Sequence, residues 1–222
     1  MSSRQPESLS ANNRASLHDI SVTLGPLTPP WPGDTPYSCG WQWSIAAGAS
    51  VNVSSITSSP HVGTHADAPV HVRTGADGAD KLALDPFLGR AVVVDVSSHA
   101  DEIPLETISG ALGTSPVERL ILRTDRSIAS GRFPESWPHL RSGAVRSLLG
   151  QGLKLLAVDC PSVDSRESKT LEIHHLLFDG GAAVIENLDL RAVHAGAYEL
   201  IAFPMKLAGS DAAPVRAVLR AI

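Results

Sequence analysis

The sequence predicts a single α/β domain, and three observations carry that prediction. Short apolar runs recur, among them Ala91–Val96, Leu153–Val158 and Ala182–Glu186, as strands buried on both faces require. Segments with helical character alternate with these runs, which is the pattern of helices layered on a sheet. No internal repeat, low-complexity tract or linker divides the 222 residues, a length suited to one full hydrophobic core.

Composition narrows the function classes. With 43% apolar and 18% charged residues the chain is of the ordinary globular kind. A net charge of -5 with no Lys/Arg cluster provides no footprint for a polyanion, so no nucleic-acid partner is expected. No apolar run approaches ~20 residues, so no membrane span is expected. Residues 1–16 are polar and lack the apolar centre of a signal peptide; they are expected to form a disordered tail ahead of a domain over 17–222. Cys39 and Cys160 have no CxxC spacing and are expected to be small buried residues in a reducing, cytoplasmic setting.

Taken in order, Ile20, Val22 and Leu24 alternate with Asp19, Ser21 and Thr23, which predicts a half-buried first strand. Thr28–Pro36 cannot be a regular element and holds Trp31 between two prolines, as a surface staple or as a wall for an aromatic ligand. Trp41–Ser59 is β-favouring and predicts strands leading into the next loop. Arg73–Asp80 is turn chemistry. Ala91–Val96 and Leu120–Thr124 predict buried strands, with a short helix over Pro104–Leu112 ended by Gly113. Phe133–Leu140 is proline-broken. Ser142 is expected to cap a helix carrying Val145, Leu148 and Leu149 and stopped by Gly150 and Gly152. A strand over Leu153–Val158 ends at Asp159, a residue placed either to act or to cap a turn. Ser168–Phe178 is helical and is closed by Gly180 and Gly181. Ala182–Glu186, Glu199–Pro204 and Val215–Leu219 complete the sheet.

The chemistry concentrates in Pro60–His71, which packs His61, His65, Asp67 and His71 into one loop. Imidazole and carboxylate are what a borderline divalent ion takes when thiolates are not offered. All four positions are odd-numbered and would share a face of an extended chain, yet at ~3.3 Å per residue the outer pair would lie ~33 Å apart. The chain must therefore fold back, with Gly63 as the permissive bend and Pro69 fixing a turn. Two distant candidates join them. His174 and His175 point about 100° apart on a helix, so at most one faces a metal. Glu186 closes a strongly apolar run, which is costly unless it is paired or ligated. Two ions sharing a carboxylate would make water reactive near neutral pH and polarise the carbonyl it attacks. No Gly-x-Ser-x-Gly elbow, Walker loop or Gly-x-Gly-x-x-Gly offers a competing chemistry.

The segments Trp31-Pro-Gly-Asp-Thr-Pro36, His61-Val-Gly-Thr-His-Ala-Asp-Ala-Pro-Val-His71, Ser168–His175, Glu186-Asn-Leu188 and Tyr198–Ala208 occur in this order. Together they resemble the bacterial kynurenine formamidases (arylformamidases) of the metal-dependent cyclase-like hydrolase family. The resemblance covers nearly the whole chain after the first ~15 residues. It implies a swivelling β/β/α fold with a mixed, barrel-like sheet flanked by helices, and a homodimer. It implies two zinc ions per chain, with manganese as another possibility: His61, His65 and Asp67 on the first, Asp67 and Glu186 bridging, His174 completing the second. His71 is then left as general acid/base and Trp31 lies against the aryl ring. The implied reaction is hydrolysis of N-formyl-L-kynurenine to L-kynurenine and formate in tryptophan degradation, by zinc-activated hydroxide. Cys160 stands where threonine is expected and Thr64 where alanine is common, both beside the site. Alternatives are a cyclic-amide hydrolase of the isatin type using one manganese, and a non-catalytic metal or aromatic-ligand binder. His18, His99, His139, His175 and His194 are expected to be structural or solvated.

Overall fold

The computed structural model describes residues 16–112 and 116–222. The tail expected over 1–16 and the Gly113 stop therefore fall almost wholly outside the described residues. In chain order the strands are β1 (Leu17–Asp19), β2 (Ser38–Trp43), β3 (Val53–Thr57), β4 (His65–Asp67), β5 (Leu88–Asp95), β6 (Glu102–Ile103), β7 (Arg119–Arg123), β8 (His139–Leu140), β9 (Leu155–Val158), β10 (Ala183–Glu186), β11 (Gly196–Ile201), β12 (Ala212–Pro214) and β13 (Val218–Ala221). The helices are α1 (Leu105–Leu112), α2 (Ser142–Gly150) and α3 (Glu172–Asp179).

Nine strands form one curled, half-barrel sheet in the order β1-β13-β11-β5-β7-β9-β10-β4-β12. Its centre, β5-β7-β9-β10, is parallel, and both flanks are antiparallel, so the sheet is mixed as expected. Period two divides the apolar runs between two cores. Leu120, Leu122, Leu156, Val158 and Val184 pack toward the helices with Ile108, Val145, Leu148 and Leu177. Ile121, Leu155, Ala157 and Ile185 fill the opposite face with Phe87, Leu200 and Leu219. Both faces are covered, which is why these strands read as continuous apolar runs.

Several boundaries move. β1 lies three residues earlier than the Ile20–Leu24 alternation suggests; beyond Asp19 the chain is extended, pairing only at Ser21 with Leu188. Ile20 and Val22 are nevertheless buried, so the alternation reports burial without a ladder. Ser142 is the first residue of α2 and Arg141 its N-cap, with no side-chain cap bond. α3 starts at Glu172 rather than near Ser168, because Leu171 adopts a left-handed backbone (φ 47°) that interrupts the helix. Val215–Leu219 is split: Val215 makes an isolated bridge to Pro204 and β13 starts at Val218. Cys39 is exposed on β2, not buried, whereas Cys160 is buried.

Candidate metal centre and active site

The proposed ligands converge at the C-terminal ends of β9 and β10, where open α/β sheets usually bind ligands. β4 runs antiparallel to β10 with His65 opposite Glu186 and Asp67 opposite Val184. Gly63 makes the bend between His61 and His65 with φ 74°, and Pro69 opens a single 3-10 turn that ends at His71. His174 enters from the first turn of α3 and is buried, while its neighbour His175 is turned away and half-buried.

Asp67 is the hub. Its Oδ1 lies 3.2 Å from His61 Nδ1 and 3.2 Å from His65 Nε2, and those nitrogens are 3.1 Å apart. Its Oδ2 lies 3.1 Å from His174 Nε2. Glu186 completes the ring, with Oε2 3.6 Å from His65 Nε2 and Oε1 3.3 Å from His174 Nε2. One Asp67 oxygen thus addresses the loop histidines and the other addresses His174.

The outer nitrogens of these three rings are also held. His61 Nε2 is 2.9 Å from Asp211 Oδ2, His65 Nδ1 donates to the Gly63 carbonyl at 2.9 Å, and His174 Nδ1 is 2.6 Å from Asp164 Oδ2. With a proton on each outer nitrogen, the inner one is left facing the carboxylates, which is how ligating histidines are oriented. Asp164 has a second task. It accepts the Ile173 and His174 backbone N–H groups at 2.9 and 3.1 Å, capping α3 from outside the helix.

These residues fit a cation. Asp67 Oδ1 is buried and makes no hydrogen bond of acceptable geometry, an arrangement that is costly in an apolar interior without a counter-charge. Donors about 2.0–2.2 Å from a tetrahedral ion lie about 3.3–3.6 Å from one another, close to the spacings here. Protonation tells the same story. Burial opposes charge on His65, yet the Asp67 and Glu186 carboxylates overcome it and push its pKa up to about 10. Burial likewise opposes charge on His174 and His61, and their carboxylate partners raise both. Burial would raise Asp67 and Glu186, but the surrounding imidazoles hold Asp67 well below the usual carboxylate range and Glu186 below its ordinary value. A divalent ion can take over the role of those protons.

His71 differs. It is half-buried, burial lowers its pKa, and its Nδ1 faces Asp211 Oδ2 at 3.6 Å rather than the carboxylate hub. It still lies near enough to His61 and Asp67 to share an ion with them, so geometry alone allows it either role. The site opens into a cavity of about 300 Å³ walled by Trp31 and Phe133, with His71, Ser162, Leu171 and Asn187 around the hub. Trp31 meets Phe133 edge-on at 5.3 Å and the buried Trp137 at 5.9 Å, so the indole is a cavity wall.

Phe133, Asp164 and Asp211 were not singled out from the sequence. Phe133 sits in a proline-broken stretch without periodicity, and the two aspartates act only through space. Asp159, by contrast, is structural: it accepts from Thr124 N, Thr124 Oγ1 and Asp125 N at 2.8, 2.5 and 3.0 Å, closing the turn after β7. Thr64 Oγ1 accepts Val22 N at 2.8 Å and donates to the Asn187 carbonyl at 2.6 Å, tying the loop to two neighbours. The buried Cys160 thiol donates to the Ser162 carbonyl at 3.3 Å. His99 bonds Thr107, and His18 meets Tyr198 edge-on, both away from the hub.

The Cyclase family model matches residues 18–165, a span that includes the whole histidine loop. The chain belongs to the Cyclase family. Within it, similarity is high to kynurenine formamidases: 41% identity over 204 residues with that of Bordetella avium, covering 92% of this chain and 97% of the relative. The kynurenine formamidase of Salinibacter ruber is 40% identical over 208 residues, with the same coverage. Among solved structures, an isatin hydrolase bound to the product analogue thioisatinate superposes with a TM-score of 0.80 at 20% identity, over 93% of this chain and 92% of that one. A potential metal-dependent hydrolase with cyclase activity gives 0.79 at 24% identity, over 92% and 96%. These structures establish that this Cyclase-family chain has their fold.

Proposed function

We propose that this Cyclase-family protein hydrolyses N-formyl-L-kynurenine to L-kynurenine and formate, as a step in tryptophan degradation. The observation that carries the proposal is a carboxylate hub whose two oxygens address separate histidine groups, set beneath a cavity walled by aromatic rings. The 41% identity to a kynurenine formamidase supports the same substrate.

In this proposal His61, His65 and Asp67 hold one zinc ion, and His174 with Asp67 and Glu186 holds the second. Such a pair supplies water activation near neutral pH and Lewis-acid polarisation of the formyl carbonyl. The rest is work for the chain's own residues. Trp31, with Phe133, fixes the aryl ring and orients the formyl group toward the hub. His71, kept neutral near pH 7 by its lowered pKa, is free to take a proton and then deliver it from Nε2 to the departing aniline nitrogen.

Two further elements belong to the proposal. The β2–β3 hairpin exposes Trp41, Trp43, Val53 and Ile56, an unusually apolar surface for a ribbon that is marginal alone, and we assign it to the interface of a homodimer. Free Cys39 and Cys160 fit a cytoplasmic protein. Among the described residues no helix is long and apolar enough to cross a membrane.

The test is formate release from N-formyl-L-kynurenine by the purified protein, with bound metal counted in the same preparation. Two ions per chain and formate in step with kynurenine are expected. The isatin-type alternative, favoured by the fold neighbours, predicts one ion and turnover of the cyclic amide. A non-catalytic binder predicts no formate at all.

A further inference from the structure

We infer that Asp211 is a positioning residue shared by His61, a ligand of the first ion, and His71, the acid/base; the inference rests on the roles proposed above for those two histidines. Strand order brings it there. β12 pairs with β4 in the register Ala212 to Asp67, so the residue just before β12 lies opposite Ala68. Ala68 N donates to the Asp211 carbonyl at 2.9 Å, and His71 N donates to the Ala68 carbonyl at 2.9 Å. The backbones of Asp211 and His71 therefore meet at a single residue.

The loop behind is held firmly. Ala79 N donates to the Ser210 carbonyl at 2.8 Å, and Gly209 N donates to Asp80 Oδ1 at 3.1 Å. Gly78 packs so closely that a Cβ there would lie 3.1 Å from Gly209 Cα. Asp211 is thus delivered by a pinned backbone, although its side chain is half-exposed.

One carboxylate oxygen faces both rings, within hydrogen-bond distance of His61 and just beyond it from His71. Asp211 Oδ2 is 2.9 Å from His61 Nε2 and 3.6 Å from His71 Nδ1, and the two rings sit with centroids 4.4 Å apart, tilted by 42°. A proton on His61 Nε2 donated to Asp211 leaves the Nδ1 lone pair aimed at the hub, the relation that Asp164 has with His174. The two carboxylates nevertheless differ. Asp164 is buried and faces one histidine, whereas Asp211 is half-exposed and faces two. The consequence is that a single side chain sets both the aim of a ligand and the aim of the group that moves the proton.

Asp211→Ala and Asp211→Asn separate this from a purely structural role. Zinc affinity is measured by competition with a chelator, kcat and KM on N-formyl-L-kynurenine at saturating zinc, and the thermal midpoint reports folding. D211A is expected to lose about 10–100-fold in zinc affinity and a comparable factor in kcat, with KM nearly unmoved. D211N keeps an acceptor oxygen and is expected to recover part of both losses. Unchanged zinc affinity in D211A would overturn the link to His61, and unchanged kcat at saturating zinc the link to His71; either ends the shared role. If D211A fails to fold, D211N alone is judged by the same two measurements. If the unsubstituted protein releases no formate, the substrate assignment has failed, and the affinity comparison by itself decides for Asp211.

Discussion

At the scale of single residues, the centre is a balance of two buried carboxylates against three imidazoles. On the proposed roles, His71→Ala keeps both metals and loses about 10²–10⁴-fold in turnover, the usual reach of one acid/base group. Asp67→Ala loses the metals instead, because it removes the oxygens common to both histidine groups. Metal counting beside the rate assay distinguishes the two, and equal metal loss in both variants would make His71 a ligand. The pKa of His65 carries a pH prediction. It is raised from an ordinary 6.5 to about 10, so its stabilising contribution is full below about pH 6.5 and is lost as pH rises through about 10. The chelated protein should therefore show a melting temperature that falls across that window. Zinc-loaded protein should resist the fall, since its ligands bind best when deprotonated. Parallel melting curves with and without chelator check this.

At the scale of elements, the site depends on the pairing of β4 with β10 and on the bend ahead of it. Gly63 is held at φ 74°, and a Cβ there would sit 2.4 Å from Leu24 Cδ2. Gly63→Ala is expected to cost about 1–3 kcal/mol in unfolding free energy, chiefly from the left-handed backbone. It should also weaken zinc binding, because the bend sets the distance from His61 to His65. Urea denaturation with chelator titration measures both. The histidine loop is legible in the sequence because its residue types, Gly63 and Pro69 are local signals. Alternation alone misplaces the first strand, because it reports burial, and Ile20 and Val22 are buried without a ladder. The sequence pattern starts α3 too early, because Leu171 takes an unusual φ that no composition announces. His175 was separable from His174 only by helical geometry, which limits the number facing the hub to one.

At the scale of the whole molecule, the unsatisfied feature is the β2–β3 hairpin, whose strand residues are all exposed. If it forms the homodimer interface, the protein should sediment at twice its chain mass, and Trp41→Glu with Ile56→Glu should bring it to the mass of one chain. A monomer before substitution would remove that assignment. By itself the sequence determined the α/β class, a bent loop dense in residue types that can ligate a metal, and a glutamate closing an apolar strand. Those follow from period, residue chemistry and the cost of burying a charge, all of which act along the chain. Only the tertiary structure decided that Asp164 and Asp211 stand behind His174 and His61, and that Phe133 faces Trp31. The His61–Asp211 pair, for example, joins positions 150 residues apart, and strand register rather than local pattern brings it together.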